Sequence, residues 1–312
     1  MNSKKVIVTG GAGFVGSYLA EELAERDYQL IILDDLSTGR MENIGQLLKR
    51  DNVRFVQGSV TNLHLLQGLF QNVDHVFHQA AIPSVPRNMK NPQASHSVNI
   101  TGTLNVLLAA RDSGVKKVIY ASSSSVYGDT PTLPKVEDMI PNPQSPYALT
   151  KLVGEYYCTI FHQIYALPTI CLRYFNVYGP RQDSNSQYAA VIPLFVTRVL
   201  QNKPSIIYGD GEQTGDFTFI KDVVRANILA AESDTYGVFN IGAGRSISIN
   251  KLAELLIRLL GGDIKPIRQG PRPGDVKYSL ADITRAKTFG YAPEHNLEEG
   301  LKEIIKRFRN ET

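Results

Sequence analysis

The sequence has little cysteine, no long hydrophobic run and almost no excess of charge, and each shortage excludes a class of protein. No apolar stretch reaches the ~18 residues of a membrane-spanning helix. After two N-terminal lysines, a short β-type run stands where a signal peptide would have its apolar core. We interpret the two cysteines, Cys158 and Cys171, as small core residues of a protein in the reducing cytoplasm. The six histidines are dispersed, so we expect no metal site.

The 33 basic residues barely outnumber the 30 acidic ones, and they are scattered along the chain. Because a nucleic-acid surface would need them clustered, we expect neither nucleic acid nor a membrane as a partner. Of the 312 residues, 43% are hydrophobic and 20% are charged, which is ordinary for a soluble globular protein. The length allows roughly two domain-sized units.

Short β-branched runs alternate with amphipathic segments in the first half of the chain. The predicted strands are Lys5–Val8, Leu30–Leu33, Val53–Gln57, His75–His78, Lys117–Ala121 and Thr169–Arg173. The predicted helices are Val15–Arg26, Leu63–Phe70, Val98–Ser113 and Tyr147–Tyr165. This alternation indicates βαβ units, and therefore an α/β fold with a doubly wound parallel sheet.

After Arg173 the sequence becomes rich in Gly, Pro, Asn and Gln, which predicts a smaller, mixed α/β second lobe. Its predicted helices are Val191–Gln201, Asn250–Leu260 and Leu297–Arg309. We expect the first domain to cover residues 1–175, with residues 217–242 returning to it. The second lobe would then consist of residues 176–216 and 243–312.

Three glycines follow the first strand at the opening of a helix, in VIVTGGAGFVG. Gly10 allows a tight turn, Gly13 lets backbone N–H groups approach a pyrophosphate, and Gly16 permits close helix–strand packing. The pyrophosphate would lie at the positive end of the helix. Three glycines alone are a weak signal, but here they stand in the strand–turn–helix context of a Rossmann-type dinucleotide site.

An acidic residue ends the second strand, about 20 positions further on as the dinucleotide fingerprint requires. Asp34, in IILDDLSTG, would accept hydrogen bonds from the adenosine ribose and repel a 2′-phosphate, which favours NAD over NADP. Arg40 could attract a phosphate, but we expect the carboxylate to dominate. The alternative interpretation of Asp34 is a solvated loop acid.

Tyr147 and Lys151, in SPYALTKLVGE, lie at i, i+4 on one helix face. Ser145 as the N-cap and Pro146 as the first helical residue place Tyr147 in the first turn. The helix dipole, the Lys151 ammonium and a nicotinamide cation would all favour the phenolate. We therefore expect the pKa of Tyr147 to fall from about 10 towards neutrality, as a general base requires. Without further signals, a Tyr–Lys pair at this spacing more often lies on the protein surface and has no catalytic role.

A run of hydroxyls, Ser122 to Ser125, ends the strand in VIYASSSSVYGD. Ligands of a doubly wound sheet bind outside the carboxyl ends of its strands, so these serines should face the cofactor cleft. The alternative is a polar loop that caps the strand. Together with Tyr147 and Lys151, the run predicts an oxidoreductive site.

Five motifs in this order resemble those of the extended short-chain dehydrogenase family of NDP-sugar epimerases and dehydratases. They are TGGAGFVG, SSSSVYG, SPYALTK, RYFNVYGPRQ and GDGEQTGDFTFIKDV. The resemblance implies that Ser123, Tyr147 and Lys151 are catalytic and that NAD is a resident cofactor. Further implied cofactor contacts are Phe14, Val15, Ser37, Thr38, Gly39, Ser59, Val60, Gln79, Ala80, Ala81, Asn99 and Tyr174.

The resemblance also implies a redox-neutral reaction. Tyr147 takes the C4 hydroxyl proton of an NDP-sugar while hydride passes to NAD, Ser123 hydrogen-bonds the same oxygen, and Lys151 holds the nicotinamide ribose. The keto sugar then rotates and takes the hydride back on its other face. Dehydratases and decarboxylases of the family carry carboxylates just after the catalytic hydroxyl. Ser124 and Ser125 stand there instead, so elimination is disfavoured and 4-epimerisation remains.

The implied UDP-sugar site draws on both lobes. Besides Ser123 and Tyr147, it comprises Ser84, Ser124, Ser125, Asn176, Ala190, Val191, Tyr208, Arg272, Asp275 and Ser279. Tyr208 would stack on uracil, or else be a half-buried aromatic of the second-lobe core. Ser279 matches a gatekeeper position where a small residue leaves room for a 2-acetamido group. This favours UDP-GlcNAc and UDP-GalNAc, with UDP-glucose or UDP-glucuronate 4-epimerisation as the alternatives.

Two positions depart from the family pattern. Gly215 stands where an arginine usually pairs with the diphosphate, so a charge-assisted contact of ~1.5–3 kcal/mol would be missing. Ser59 stands where an Asp usually lies beside the adenine.

The family further suggests a homodimer that pairs the helices Val98–Ser113 and Tyr147–Tyr165, although those apolar faces could equally be internal. A non-catalytic NAD-binding sensor is a remote alternative, because such proteins typically lose the Tyr or the Lys.

Overall fold

The computed structural model describes residues 3–83, 85–182, 190–261, 264–270 and 277–311. Within these ranges, one central sheet has seven parallel strands. They are β1 (Lys5–Thr9), β2 (Gln29–Asp34), β3 (Val53–Gln57), β4 (His75–His78), β5 (Lys117–Ser123), β6 (Thr169–Tyr174) and β7 (Gly237–Ile241). The predicted α/β fold with a doubly wound parallel sheet is confirmed.

The strand order in the sheet is β7-β6-β5-β4-β1-β2-β3. The chain runs outwards from β1 in one direction and then returns to continue from β4 on the other side. This reversal opens a crevice between β1 and β4 at their carboxyl ends, where doubly wound proteins bind their ligands. All six predicted strands are present. The seventh strand, β7, is not among the predicted strands, but it lies in residues 217–242, which we expect to return to the first domain. The division of the chain into two domains stays a prediction.

The helices cover both faces of the sheet. They are α1 (Phe14–Glu25), α2 (Leu63–Leu69), α3 (Val85–Lys90), α4 (Pro92–His96), α5 (Gly102–Asp112), α6 (Pro146–Tyr165), α7 (Val191–Leu200), α8 (Ile220–Glu232), α9 (Ile249–Leu260) and α10 (Leu297–Glu311). Successive side chains of β1 point to opposite faces of the sheet, which explains the two layers of helices. Val6 and Val8 pack into the core with α1 and α8, whereas Ile7 packs into the core with α2 and α5. All three side chains are fully buried.

The predicted helix Val98–Ser113 has a different beginning from the one expected. A π-helical turn, Ser97–Thr101, precedes α5. The hydroxyl of Thr103 donates to the carbonyl of Asn99 at 2.7 Å across this wider turn. Such turns occur frequently beside functional sites, and periodicity alone does not distinguish one from regular helix.

In the part of the chain predicted to form the second lobe, α7, α9 and α10 contact one another. Short strand pairs surround them: Ile206–Tyr208 with Ile267–Gln269, Thr214–Gly215 with Ile247–Ser248, and Val177–Tyr178 with Thr218–Phe219. Ser248 caps α9 by accepting the N–H of Lys251, and Gly261 ends it with a φ of 74°. Among the described residues, no helix has the length and apolarity needed to span a membrane.

Candidate active site

A cavity of about 650 Å³ opens at the carboxyl ends of the parallel strands, where the strand order reverses. Its volume lies within the range of small-molecule and cofactor sites. The segments after β1, β2, β3 and β4 line it, together with the end of β5 and the beginning of α6. The fold therefore places a ligand site where the predicted cofactor motifs converge.

The structure brings the predicted cofactor residues to this cavity, with one exception. Those that line it are Gly10, Gly13, Phe14, Val15, Gly16, Asp34, Ser37, Thr38, Gly39, Ser59, Val60, Gln79, Ala80, Ala81, Tyr147, Lys151 and Tyr174. Asn99 is buried and does not line it. Its Oδ1 accepts the N–H of Ile82 at 2.7 Å, and its Nδ2 donates to Thr150 at 3.1 Å. Asn99 therefore fixes the backbone of a lining residue, and its direct contact with a cofactor stays a prediction.

The glycine turn has the shape that its proposed task requires. Gly10 has a φ of 68°, and a Cβ there would lie 2.7 Å from the backbone of Ala80. A Cβ on Gly16 would lie 2.1 Å from the carbonyl oxygen of Gly10, so α1 could not approach the turn so closely with any other residue. No side chain caps the first turn of α1, whose N-cap is Gly13. Its backbone N–H groups are thus open to an anion such as a diphosphate.

Asp34 lies at the end of β2 and is only 7% exposed, so the alternative of a solvated loop acid is wrong. Its two carboxylate oxygens accept the N–H groups of Ala12 at 2.9 Å and Leu36 at 2.8 Å. Burial raises its pKa, against the effect of these two bonds. The carboxylate both shapes the loops and lines the cavity, which suits a partner of ribose hydroxyls. The residues present therefore fit an NAD molecule.

The beginning of α6 confirms the local prediction for Tyr147. Ser145 is the N-cap, its hydroxyl accepts the N–H of Ala148 at 3.1 Å, and Pro146 is the first helical residue. Tyr147 follows in the first turn, close enough to the side chain of Ser123 at the end of β5 for this hydroxyl to lower the pKa of the phenol. The structure thus joins two predicted catalytic residues that lie 24 positions apart in the sequence.

Lys151 is one turn further along α6, is buried, and points to the end of β5. Its Nζ donates to the carbonyl of Ala121 at 2.7 Å and lies 5.9 Å from the ring centroid of Tyr147. Burial lowers its pKa to about 8, although the charge of Glu155 acts in the opposite direction. The ammonium is therefore held near the phenol without bonding it.

The expected fall in the pKa of Tyr147 is wrong for the protein by itself. Burial raises the pKa of this phenol to about 12, and the nearby hydroxyl of Ser123 offsets the rise only in part. The nearby positive charges favour the phenolate, but they do not offset the cost of moving a phenolate out of water. The expectation also assumed that Lys151 faces the phenol, whereas its hydrogen bond goes to Ala121.

The predicted substrate residues do not all lie at the cavity, and Ser123, Ser124, Ser125 and Tyr208 do not line it. Tyr147 and Ala190 line the cavity, and Val191 follows as the first residue of α7. Asn176 and Ser279 lie together, with Nδ2 of the amide 3.3 Å from Oγ of the serine. Ser84, Arg272 and Asp275 lie outside the described residues.

The residues after Ser123 form a short 3₁₀ turn, Ser124–Tyr127. Oγ of Ser123 accepts the N–H of Ser125 at 3.2 Å, so the run begins by capping itself. The hydroxyl of Ser125 is buried and has no hydrogen-bond partner among the described residues. Tyr208 ends its short strand half-buried, and its place beside a uracil stays a prediction.

The structure gives a physical reason for Gly215. This residue is buried in a short strand, and a Cβ there would lie 2.7 Å from the ring of Phe217. An arginine at this position would require the aromatic ring to move. The ring of Phe217 therefore occupies the space that a side chain at position 215 would need, in the buried interior and not on the surface.

Arg181 also lines the cavity, although the sequence analysis assigned it no role. Its guanidinium donates to Glu21 at 2.6 Å and lies 4.2 Å from the ring centroid of Tyr18, both on α1. Its φ of 68° lies in the left-handed region, which is uncommon for a residue other than glycine. The motif GPRQ marks this segment in the sequence. Nothing in the sequence, however, predicts a positive φ at the arginine.

A glycine turn, a buried acid at the end of β2 and a Ser–Tyr–Lys group on one crevice define a nucleotide-dependent oxidoreductive site. The sequence matches the NAD dependent epimerase/dehydratase family over residues 6–242. The chain belongs to this family, and the resemblance stated from its motifs is confirmed. The predicted cofactor, NAD, is confirmed with it.

Solved structures and sequence relatives agree with this membership. A UDP-N-acetylglucosamine 4-epimerase from Methanobrevibacter ruminantium, in complex with UDP-N-acetylmuramic acid, is 42% identical with a TM-score of 0.97 over all of both chains. A UDP-glucose 4-epimerase from Thermotoga maritima with UDP-glucose is 39% identical with a TM-score of 0.94, over 98% of this chain and 99% of that one. A UDP-glucuronate 4-epimerase from Thermodesulfobacterium geofontis is 37% identical over 312 residues, 96% of this chain and 94% of its own.

Proposed function

We propose that this protein is an NAD-dependent 4-epimerase of UDP-sugars that interconverts UDP-GlcNAc and UDP-GalNAc. The observation that carries the proposal is the proximity of Ser123, Tyr147 and the Lys151 ammonium, at the crevice of a doubly wound sheet. Relatives with UDP-sugar 4-epimerase activity match nearly the whole chain.

The three residues have distinct tasks in this reaction. Tyr147 accepts the proton of the sugar C4 hydroxyl and later returns it to the same oxygen, while Ser123 holds that oxygen by a hydrogen bond. Lys151 remains largely protonated below about pH 8 and stabilises negative charge on Tyr147. When bound, NAD supplies a reversible hydride acceptor and a positive ring beside the phenol. Because the protein alone raises the pKa of Tyr147, that cation would be needed to reach the phenolate.

The serines that follow Ser123 favour epimerisation over elimination. Dehydration needs an acid and a base positioned at neighbouring carbons of the sugar. Ser124 and Ser125 supply only hydroxyls, which neither ionise near neutral pH nor replace a carboxylate. The buried hydroxyl of Ser125, which has no hydrogen-bond partner in the described part of the chain, is instead suited to hydrogen-bonding a polar substituent of the sugar.

The preference for hexosamines is supported by Ser279. A serine is small, and its Oγ lies 3.3 Å from the Asn176 amide, so the two form a polar edge that a 2-acetamido group could join. UDP-glucose and UDP-glucuronate remain the alternative substrates, because relatives with those activities are nearly as similar to the chain.

The test is to incubate the purified protein with each UDP-sugar and to separate the C4 epimers. We expect interconversion of UDP-GlcNAc and UDP-GalNAc, loss of turnover in Tyr147→Phe with NAD still bound, and normal turnover in Tyr236→Phe. Tyr236 is 61% exposed and does not line the cavity, so it is a matched control. Turnover that survives Tyr147→Phe would contradict the assigned base. NAD binding without conversion of any UDP-sugar would favour the sensor alternative.

A second copy of this chain is the proposed partner. The exposed apolar residues Leu149, Tyr156, Ile160 and Ile164 form one face of α6. They are between 43% and 68% exposed, which is unusual for a stripe of this size on an isolated protein. Light scattering should show a dimer, and Ile160→Glu with Ile164→Glu should convert it to a monomer. A monomeric parent protein would refute the proposal.

The free, buried cysteines Cys158 and Cys171 support the proposed cytoplasmic location. A reducing compartment keeps such thiols unmodified, and neither of them contributes a disulfide to the described structure.

A further inference from the structure

Asp216 is a fully buried carboxylate to which the proposed reaction gives no role. Its Oδ1 accepts the N–H of Ala243 at 2.7 Å, and its Oδ2 accepts those of Gly244 at 3.1 Å and Ala281 at 3.0 Å. Hydrogen bonds to a charged acceptor are stronger than neutral ones. One side chain thus ties together the loop after β7 and the chain that leads to Ser279.

The residues Lys277–Asp282, here called the gate segment, carry Ser279. Elsewhere the gate segment is held at its backbone. The N–H of Lys277 donates to Asp129 at 2.9 Å, and Lys135 exchanges backbone hydrogen bonds with Leu280 and Asp282 at 2.8 and 2.9 Å. The bond from Ala281 to Asp216 lies in the buried interior between these contacts. Because Leu280 and Asp282 stay bonded to Lys135, loss of this bond would separate the gate segment from the loop after β7 and shift it without freeing it.

Asp216 also positions Asn176 through its own backbone. Its carbonyl accepts Nδ2 of Asn176 at 3.2 Å, and the same amide group lies 3.3 Å from Oγ of Ser279. The packing around the carboxylate is close, since a Cβ on Gly242 would lie 3.0 Å from Oδ2. Asp216 therefore bonds Asn176 through its carbonyl and the gate segment through its carboxylate, and the hydroxyl of Thr214 also accepts the N–H of Ser279 at 3.4 Å.

We propose that Asp216 is a positioning residue of the sugar site, which places Ser279 and Asn176 and so determines how well each hexose fits. This inference rests on the proposed function. Asp216 acts through other residues and does not touch the reacting atoms. Ser123 and Lys151 lie on β5 and α6, outside its contacts, so the chemical step should depend on it little.

The ionisation of Asp216 offers a second way to observe this role. Burial raises its pKa to about 6, while the three N–H groups and the charge of Arg245 act in the opposite direction. Tyr291, whose hydroxyl donates to the carbonyl of Gly242 at 2.8 Å, also faces the carboxylate. Protonation turns one acceptor oxygen into a donor that faces backbone N–H groups. The gate segment should then loosen as the pH falls below about 6.

The experiment compares Asp216→Asn with Asp282→Asn, measuring KM and kcat for UDP-GlcNAc and UDP-glucose and the NAD retained by the holoenzyme. Asp282 is a matched control in the gate segment, because its side chain accepts the nearby N–H of Thr284 at 2.8 Å and makes none of the three bonds of Asp216. For Asp216→Asn we expect KM to rise roughly tenfold, as for the loss of a buried hydrogen bond to a charged group. The ratio of the two sugars should change, while kcat and bound NAD stay near those of the parent. Asp282→Asn should change none of these.

An unchanged KM and sugar ratio in Asp216→Asn, or a loss of kcat that only follows its NAD content, would overturn the inference. If Asp216→Asn does not fold, the parent enzyme decides the question. Its KM should rise as the pH falls through about 6, and a flat profile would overturn the inference as well. A parent protein that converts no UDP-sugar at any pH contradicts the proposed function itself and this inference with it.

Discussion

At Lys151 the requirements of folding and of the proposed reaction oppose each other. Its pKa is lowered from 10.5 to about 8 because the ammonium is buried. The unfolded chain therefore binds this proton more tightly than the folded protein does. At 1.36 kcal/mol per pKa unit, the buried charge destabilises the folded state by about 3 kcal/mol below pH 8. This penalty disappears above about pH 10.5, where the lysine is neutral in both states.

Replacing Lys151 by methionine should thus stabilise the NAD-free protein while abolishing turnover. We expect a gain in the free energy of unfolding of about 1–3 kcal/mol at neutral pH, since the lost bond to Ala121 offsets part of the effect. Urea unfolding at neutral pH and above pH 10.5 measures it, and the gain should vanish at the higher pH. A variant that is less stable than the parent at neutral pH would contradict the claim that the buried charge destabilises the folded protein.

At the scale of secondary structure, β4 begins and ends with a buried histidine. His75 has a pKa lowered to about 4, and His78 has one lowered to about 3, mainly because burial disfavours the charged ring. His78 is held neutral between the hydroxyls of Thr9 at 2.8 Å and Thr103 at 3.0 Å. Below the ordinary histidine pKa of 6.5, the unfolded chain takes up protons that the folded protein refuses. Stability is therefore lost as the pH falls from 6.5 towards 4.

Each histidine should contribute about 1.4 kcal/mol of lost stability per pH unit in that interval. We expect His75→Gln and His78→Gln each to reduce the pH dependence of the free energy of unfolding by about one proton. Urea unfolding of the parent and both variants at several pH values measures the difference. Buried acids such as Asp216 act in the opposite direction, so the comparison between proteins is the readout. Equal slopes in all three proteins would contradict the account.

A buried ion pair joins α6 to β6 beneath the site. Arg173 binds Glu155 with two bonds of 2.9 and 2.7 Å, and each side chain is 3% exposed. Ser122 also donates to Glu155, and Arg173 lies over the ring of Tyr127. The pair is enclosed, so breaking it would leave an uncompensated charge in the interior.

The single change Glu155→Met should therefore cost about 3–5 kcal/mol of unfolding free energy. The double change Glu155→Met with Arg173→Met should cost clearly less, since both charges are then removed. A double-mutant cycle by urea unfolding compares them. A single variant within about 1 kcal/mol of the parent, as for an exposed pair, would mean that water reaches the site.

For the whole molecule, the sequence predicts those features that depend on residues close together in the chain. Ser145 and Pro146 fix the start of α6, so the place of Tyr147 in its first turn could be predicted from the sequence. Apolar runs likewise predicted the six strands of the first half. The pKa of Tyr147 could not be predicted in this way, because it depends on burial by distant chain segments.

Long-range contacts account for the other omissions. Asp216 receives its three N–H bonds from residues at least 27 positions away, which no spacing rule reveals. The orientation of Arg181 depends on a left-handed backbone. The family motifs marked the neighbourhood of both residues without showing what either one does.

The central claim is that hydride leaves C4 of a UDP-sugar and returns to the same molecule. The most direct measurement uses UDP-GlcNAc carrying deuterium at C4 with the purified enzyme in ordinary water. The account predicts that UDP-GalNAc forms with deuterium retained at C4 and with no net change in the NAD absorbance. Loss of the deuterium to water, or the absence of any C4 epimer, would contradict it.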